Sequence, residues 1–277
     1  MAETIQQGEC IEKIMNAFAK IGHELTNKQA EQFFQYYEML VETNKVMNLT
    51  AITEFDEVLQ KHFVDSVLKS EIFIKEDTKT LIDVGTGAGF PGVPLKIMYP
   101  QLKVTLLDSL NKRLNFLNQV IEKLGLENIA TVHYRAEDGA RKAELREQFD
   151  CVVSRAVANM STLCEYCLPY AKVGGCFVAY KSGNAEEEID KAKKAVHLLG
   201  GVKENAIYFD LPDSDIGRSL VIDRLSYKVT YGAPAFKITA KAKDTESDIQ
   251  FASDNKKVAI SKKYPRKAGL PSKEPLQ

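Results

Sequence analysis

The first part of the chain carries apolar residues at helical spacing. In three successive stretches they recur every three or four positions, which is the pattern of an amphipathic helix with one buried face. The second stretch follows Thr26, which with Gln29 three residues later forms the sequence signature of a capping box. The third stretch begins near Glu54. The pattern therefore predicts an N-terminal helical extension, which we place at residues 1–75.

From Thr80 onwards the pattern changes to short apolar runs that alternate with helical stretches. Such alternation is typical of βαβ units, in which parallel strands form one sheet with helices on both faces. Five runs are predicted as parallel strands: 80–84, 104–107, 130–134, 151–154 and 176–180. Two later runs, 203–211 and 218–225, flank a turn-rich segment and predict an antiparallel hairpin that closes the sheet. The fold class is therefore α/β, with a seven-stranded, mostly parallel sheet at residues 76–225.

The end of the chain divides into an ambiguous stretch and a basic one. Residues 226–260 alternate apolar and polar positions around a Gly-Ala-Pro turn and then become polar, so we interpret them as an exposed insertion, either a hairpin or disordered. Residues 261–277 form a basic tail. Seven lysines and arginines and no acid lie between positions 256 and 273, so this stretch carries +7 and the rest of the chain −8. That charge predicts capture of nucleic-acid phosphates, the alternative being a solvated terminus.

Composition narrows the classes of protein further. The longest apolar runs fall well short of the roughly 20 residues of a membrane span, and the N-terminus has no apolar leader, so we expect a cytoplasmic location. The five cysteines, an odd number in a long chain, do not suggest a disulfide framework, and we interpret them as reduced thiols. Cys164 and Cys167 lie three residues apart on a predicted helix, without a second pair of ligands nearby, so we interpret them as small apolar residues and predict no metal site.

The strongest local signal is a glycine-rich turn between a predicted strand and a predicted helix. It runs from Asp83 to Gly92 and has the spacing G-x-G-x-G, which lets backbone approach a ligand closely. A second acid, Asp108, ends the next strand, where a carboxylate can bind ribose hydroxyls. The turn lacks the lysine of a phosphate-binding loop. It therefore predicts a ligand with a ribose and no phosphates, although tight-turn geometry alone can also require such glycines.

Further polar residues follow the later strands, whose carboxyl ends line the ligand crevice of an open α/β sheet. Glu137 and Asp138 follow the third strand and are expected beside an adenine, unless they simply begin a helix. Arg155 and Lys181 end the fourth and fifth strands. We predict that these two cations bind phosphate or a guanine edge, the alternative being solvated charge at the strand ends.

Several motifs in order give the chain a family resemblance. They are Asn44-Lys-Val-Met-Asn-Leu-Thr50, His62-Phe-Val-Asp-Ser66, the turn Asp83 to Gly92, Leu107-Asp-Ser109 with Lys112-Arg113, Arg135-Ala-Glu137, Ser154-Arg-Ala156 and Lys263-Tyr-Pro-Arg-Lys-Ala-Gly269. Together they resemble the bacterial 16S rRNA (guanine-N7) methyltransferases, also called glucose-inhibited division protein B. The resemblance covers most of residues 10–225 and the last 16 residues.

The resemblance implies a Rossmann-like class I methyltransferase fold and the cofactor S-adenosyl-L-methionine. It implies methylation of guanine N7 in the 530-loop region of 16S rRNA, as naked rRNA or within the small ribosomal subunit. We further expect a cytoplasmic monomer. Residues expected to bind the cofactor are Asp83, Gly85, Thr86, Gly87, Gly89, Phe90, Asp108, Ser109, Ala136, Glu137 and Arg155. Residues expected to bind substrate are Asn48, His62, Ser66, Arg155, Lys181, Lys263, Arg266 and Lys267, with Arg155 and Lys181 also expected to be catalytic.

Missing motifs agree with a ring nitrogen as the acceptor. Methylation of an exocyclic amine usually involves an (Asn/Asp)-Pro-Pro-aromatic turn, and methylation of a pyrimidine carbon requires a thiolate, typically from Pro-Cys. Neither motif occurs in the sequence. Two alternatives remain open at this point: a methyltransferase of the same fold that acts on another RNA or on a protein, and a catalytically silent RNA-binding module.

Overall fold

The computed structural model describes residues 2–225 and 260–276, with side chains except those of residues 2–6 and 204. The insertion predicted at residues 226–260 therefore lies outside the described residues, apart from Ile260. The same holds for the first two cations of the basic stretch, Lys256 and Lys257.

The N-terminal region is helical, as the apolar periodicity predicts. Its elements are α1 (Ala2–Lys20), α2 (Asn27–Met47), α3 (Phe55–Val58), a π-helical segment (Leu59–Val64), α4 (Asp65–Val67) and a 3₁₀ turn (Ser70–Ile72). The capping box at the start of α2 is confirmed, because the Thr26 amide donates to Gln29 Oε1 at 2.9 Å and the Gln29 amide donates to Thr26 Oγ1 at 3.3 Å. The single third helix predicted from Glu54 is instead divided by the π-helical segment, which rotates the side chains that follow it.

The seven predicted strands are present and form one sheet. They are β1 (Thr80–Val84), β2 (Lys103–Asp108), β3 (Ile129–His133), β4 (Phe149–Arg155), β5 (Ala171–Ser182), β6 (Gly201–Asp210) and β7 (Gly217–Leu225). Their order is β3-β2-β1-β4-β5-β7-β6. The strands β1 to β5 are parallel, whereas β7 runs antiparallel between β5 and β6. This confirms the seven-stranded, mostly parallel α/β sheet closed by an antiparallel hairpin.

One strand is much longer than its apolar run. The sequence predicts a strand at 176–180, but β5 begins five residues earlier, at Ala171. Its first half contains Gly174, with φ +86°, and the pairing of β4 with β5 shifts register between Phe149 and Cys151. Glycine has no side chain to contribute to an apolar alternation and is uncommon within strands. The sequence pattern therefore could not indicate this part of β5.

Helices cover both faces of the sheet, and an apolar core lies on each face. They are α5 (Gly92–Met98), α6 (Asn111–Lys123), α7 (Ala136–Gly139), α8 (Met160–Cys167), α9 (Glu186–Leu198) and α10 (Leu270–Lys273). One apolar cluster joins the N-terminal helices, α5 and α6 to one face of the sheet. The other joins α8, α9 and the segment after Ile260 to the opposite face. The helical extension therefore shares a core with the sheet.

Within the described ranges, no helix is long and apolar enough to cross a membrane.

Candidate active site

A cavity of about 880 Å³ opens at the carboxyl ends of the strands. Its walls come from the N-terminal helical region, the ends of β1, β2, β4, β5 and β7, and the C-terminal segment. Among the predicted site residues, those that line it are His62, Gly85, Thr86, Gly87, Phe90, Asp108, Ser109, Ala136, Glu137, Arg155 and Lys181. Those that do not line it are Asn48, Ser66, Asp83, Gly89, Lys263, Arg266 and Lys267.

Asp83 lies fully buried beneath the glycine-rich turn. Its Oδ2 accepts hydrogen bonds from Thr86 Oγ1 at 2.7 Å and from the Gly92 amide at 2.9 Å. Its Oδ1 is buried and has no partner among the described residues. Burial raises the pKa of Asp83 to about 6, against the effect of these two hydrogen bonds. An unpaired buried acceptor is unfavourable, so this atom suits a ligand donor such as an ammonium group.

The glycines of the turn are required by its backbone. Gly85 and Gly87 have φ of +73° and +62°, a region that residues with a Cβ adopt only under strain. An added Cβ at Gly85 would lie 2.6 Å from the Val157 side chain, whereas the space beside Gly87 is open to at least 4 Å. The amides of Gly85 and Thr86 both donate to the Leu107 carbonyl, which joins the turn to β2. The turn thus presents bare backbone to the cavity.

Two carboxylates beside the glycine turn line the cavity and are held by backbone amides. Asp108, at the end of β2, accepts from the Gly87 amide at 2.9 Å and from the Leu110 amide at 2.8 Å. Glu137, in α7, accepts from the Gly269 amide at 2.7 Å. Both carboxylates are nearly buried. We call the part built from the glycine turn, Asp108 and Glu137, with Asp83 buried beneath the turn, the cofactor half of the cavity; it is preorganised by the main chain.

The opposite side of the cavity is cationic. Arg155, at the end of β4, donates to Asp65 Oδ2 at 3.1 Å, and its guanidinium lies 5.1 Å from the centre of the Phe90 ring. Arg218 donates to the other oxygen, Asp65 Oδ1, at 2.9 Å. Burial raises the pKa of Asp65 above its usual value, although the two guanidiniums act in the opposite direction. Asp65 thus fixes two arginines that line the cavity, a pairing that the sequence did not reveal.

His62 packs between these groups in a neutral form. Its ring stacks on Phe90, with 4.5 Å between centroids, and its Nε2 lies 2.9 Å from Thr50 Oγ1. Burial, with the nearby Arg155 charge, lowers the pKa of His62 to about 4. His62 lies in the π-helical segment and Asp65 directly follows it, and both line the cavity; such segments often occur at functional sites.

Lys181 lines the cavity beside the arginines and is largely buried. Its Nζ donates to the Ala158 carbonyl at 2.9 Å and to Glu188 Oε2 at 2.6 Å. Glu188 Oε2 also accepts from the Met160 amide. Ser219 is another cavity residue that the sequence did not mark, and its buried Oγ has no partner in the described part of the chain. We call the side built from Arg155, Lys181, Arg218 and Ser219 the acceptor half.

Two predicted substrate residues of the N-terminal helical region, Ser66 and Asn48, lie away from the cavity. Ser66 is fully buried and donates to the His62 carbonyl at 2.5 Å, so its hydroxyl shapes the helix. Asn48 is exposed at the end of α2, in the left-handed region with φ +51°. Asn44, not Asn48, holds the next turn, because its Oδ1 accepts from the amides of Leu49 and Thr50.

The basic tail is folded against the domain. Lys263 and Lys267 are exposed, whereas Arg266 forms an ion pair with the fully buried Glu165 of α8, at 2.9 Å from Nη2 to Oε2. Gly269 and Ser272 line the cavity. Sequence reasoning used the charge of this segment and missed its contact with the cavity.

The thiols of Cys164 and Cys167 are buried in the core, and burial raises the pKa of both. In the two described ranges, no group of three or more His, Cys, Asp or Glu side chains is placed to hold a metal ion.

Comparison with known proteins identifies relatives over nearly the whole chain. The model of the family described as rRNA small subunit methyltransferase G matches residues 29–216. A ribosomal RNA small subunit methyltransferase G from Lachnoclostridium phytofermentans is 48% identical over 256 residues, covering 92% of this chain and 93% of that protein. One of the same name from Acetivibrio thermocellus is 46% identical over 255 residues, covering 92% of each. These relatives match over nearly their full length and that of this chain, and the protein is a member of the rRNA small subunit methyltransferase G family.

Proposed function

We propose that the protein transfers a methyl group from S-adenosyl-L-methionine to N7 of a guanine in the 530-loop region of 16S rRNA. The observation that carries the proposal is the division of one cavity into a half of carboxylates held by the backbone and a half of arginines and a lysine held by carboxylates. The first half suits a ribose and an ammonium group, and the second suits an RNA phosphate or a guanine edge. Membership of the family agrees with this substrate class.

The described residues fit this cofactor. Asp83 Oδ1, a buried acceptor without a partner, would accept from the ammonium group of its methionine part. Asp108 would accept from the ribose hydroxyls, and Ala136 and Glu137 would contact the adenine end. Bare backbone at Gly85 and Gly87 would allow close approach. When bound, S-adenosyl-L-methionine supplies an electrophilic methyl group on a positively charged sulfur.

The acceptor half then has to align guanine and needs no proton transfer. The N7 lone pair is available at neutral pH, so correct placement supplies most of the catalysis. Arg155 and Lys181 would hold the guanine edge or its phosphate, each restrained by a carboxylate. His62 is neutral at pH 7 and stacks on Phe90, so it would contribute shape and contact and not a charge.

The outer surface supplies a site for the rest of the RNA. Lys263 and Lys267 are exposed on the C-terminal segment and would bind phosphates without reading the sequence. Arg266 is engaged by Glu165, so the phosphate contacts of this segment are assigned to the two lysines. The protein would act as a monomer in the cytoplasm, on 16S rRNA or the small ribosomal subunit.

The decisive experiment maps N7-methylguanosine in 16S rRNA from cells with and without the gene. The proposal expects one modified guanine in the 530-loop region that is lost with the gene and restored by the intact gene. Purified protein with radiolabelled cofactor should then methylate naked 16S rRNA or assembled small subunits taken from the deleted strain. Label in tRNA or protein alone would favour another acceptor, and cofactor binding with no methyl transfer to any RNA would favour a silent binding module.

A further inference from the structure

The segment 260–276, which we call the C-terminal wall, is built into the domain. Ile260 and Tyr264 are buried, with Pro271 buried as well. A segment that was only a solvated basic terminus would expose these apolar side chains to water. The C-terminal wall thus has an inner face that packs on the sheet domain and an outer face that carries lysines.

Main-chain contacts hold this wall in one position. Arg146 donates to the carbonyls of Ile260, at 2.9 Å, and Tyr264, at 2.8 Å. Thr162 Oγ1 donates to the Pro271 carbonyl at 3.1 Å. These contacts use main-chain carbonyls of the segment and not its charged side chains.

An ion pair between Arg266 and Glu165 joins the C-terminal wall to α8. The Arg266 amide donates to Glu165 Oε1 at 2.7 Å, and its Nε and Nη2 donate to the same carboxylate at 3.0 Å and 2.9 Å. Glu165 is fully buried, and this arrangement satisfies both of its oxygens. Removing one partner of such a pair leaves an uncompensated buried charge, which is strongly destabilising locally.

The wall also reaches the cofactor half of the cavity. The Gly269 amide donates to Glu137 Oε1 at 2.7 Å, and Gly269 and Ser272 line the cavity. Tyr166, on α8, lines the same opening beside Ser272, whose hydroxyl donates to the Gly269 carbonyl at 3.1 Å. A carboxylate expected to contact the cofactor is therefore oriented by an amide that lies after the sheet in the chain.

We infer that the C-terminal wall is part of the cofactor site, with Arg266 as a positioning residue that acts through Glu165 to hold Gly269 against Glu137. The inference rests on the proposed function, because it takes this half of the cavity to bind S-adenosyl-L-methionine. It separates two roles within one basic segment. The inner face of the wall orients Glu137, and the outer lysines remain available to RNA.

Arg266→Met tests the positioning role, with Lys262→Met as the matched control. Both variants remove one positive charge from the same segment, but Lys262 is exposed. For Arg266→Met, the dissociation constant and KM for S-adenosyl-L-methionine should rise about tenfold, equivalent to about 1.4 kcal/mol. The kcat at saturating cofactor and KM for RNA should change by much less. Lys262→Met should keep the wild-type cofactor affinity in a calorimetric titration without RNA.

Arg266→Lys keeps the experiment informative if Arg266→Met does not fold. It preserves the charge opposite Glu165 but loses the guanidinium fork, so cofactor affinity should fall between those of wild type and Arg266→Met. Hydrogen exchange of the wild type adds a measurement without mutation. Because coupling is reciprocal, bound S-adenosyl-L-methionine should slow amide exchange in peptides that cover residues 264–272.

The outcomes separate this inference from the function on which it rests. If wild-type protein does not bind S-adenosyl-L-methionine, the proposed function fails. If wild type binds it and Arg266→Lys or Arg266→Met binds equally well, the positioning role is overturned. Equal weakening by Lys262→Met would likewise overturn it, because the effect would then come from net charge. Unchanged exchange at residues 264–272 upon saturation would show that the wall is not coupled to the cofactor.

Discussion

The two halves of the cavity are built in opposite ways. In the cofactor half, Asp108 and Glu137 are carboxylates, and backbone amides hold each of them. In the acceptor half, Arg155 and Lys181 are cations held by the side chains of Asp65 and Glu188. Backbone amides fix a geometry independently of most side-chain changes, whereas a pair of side chains depends on both partners.

This difference suits the two ligands that we propose, a small cofactor and a large RNA. A cofactor always presents the same groups, so a site made of main chain and buried acids can be rigid. An RNA must enter and leave, and cations on side chains can release it when salt or competing phosphates weaken them. The predictions that follow test this contrast.

The largest effect is expected from Gly87→Val, which alters the main chain of the cofactor half. Affinity for S-adenosyl-L-methionine should fall about 100-fold or more, about 2.7 kcal/mol, since a β-branched residue is strained at φ +62°. Gly125→Val is the matched control, because Gly125 also has positive φ, with no atom within 4 Å of an added Cβ, and lies off the cavity. Calorimetry on both folded variants measures the result. Equal affinity in Gly87→Val and wild type would contradict the assignment of this half.

Arg155→Ala should act on the acceptor half with a smaller effect on cofactor binding. The methyl-transfer rate at saturating cofactor should fall about 100-fold, because misplacing reacting groups by about an ångström can have that effect. Affinity for S-adenosyl-L-methionine should change by much less, since Asp65 keeps its pairing with Arg218. Single-turnover methylation and calorimetry on one preparation measure both quantities. Wild-type turnover would exclude Arg155 from catalysis.

Cofactor affinity should depend on pH through Asp83. With the pKa of Asp83 at about 6, its carboxylate is protonated at lower pH and can no longer accept from an ammonium group. Affinity for S-adenosyl-L-methionine should therefore fall below about pH 6, by up to about tenfold per pH unit. Titrations between pH 5 and 8 test this, with Asp83→Asn as the comparison. That variant should bind weakly at pH 8 and show little pH dependence; a flat wild-type profile would rule out the role of Asp83.

The smallest effect concerns Asp223, a buried carboxyl of β7 that belongs to neither half. It accepts from Cys164 Sγ at 3.6 Å, and burial raises its pKa to about 7. The folded protein then holds a proton that the unfolded chain releases near pH 4, so the free energy of unfolding decreases as pH rises towards 7. Urea unfolding at pH 6 and 7.5 should differ by up to about 1.4 kcal/mol from this group. Asp223→Asn should reduce the difference, whereas Asp215→Asn, in an exposed loop, should not.

The sequence predicted the fold, and it predicted that Asp108, Glu137 and most of the glycine turn lie together, because both depend on local patterns. The capping box of Thr26 and Gln29 and the seven apolar runs were confirmed. Asp83 stands near the end of β1 just before the glycine turn, and Asp108 stands at the end of β2. Because the carboxyl ends of parallel strands meet at one edge of the sheet, their positions in the sequence predict that the two residues lie close together. The roles of these residues towards the cofactor remain predictions.

The acceptor half could not be predicted in the same way, because its partners are distant in the chain. Asp65 is 90 residues from Arg155 and 153 residues from Arg218. The π-helical segment added a further difficulty, since one extra residue in a helical turn rotates the following side chains by about 100°. The family resemblance marked Ser66, which is buried, as a substrate residue, whereas its neighbour Asp65 in the same motif lines the cavity and was not expected at the site. The pairing of Arg266 with Glu165 could not be predicted for the same reason, because Glu165, on α8, lies 101 residues away in the chain.

The position of Gly269 and Ser272 in the cavity has a consequence for how the protein is made. A chain is synthesised from its N-terminus at about 5–20 residues per second, and folding follows in that order. The seven strands of the described sheet all precede residue 226, so this sheet can form while the later residues are still being added. The cavity, in contrast, is incomplete until residues 269 and 272 have left the ribosome. The order of the chain therefore allows the sheet to form before the residues that complete the cavity are available.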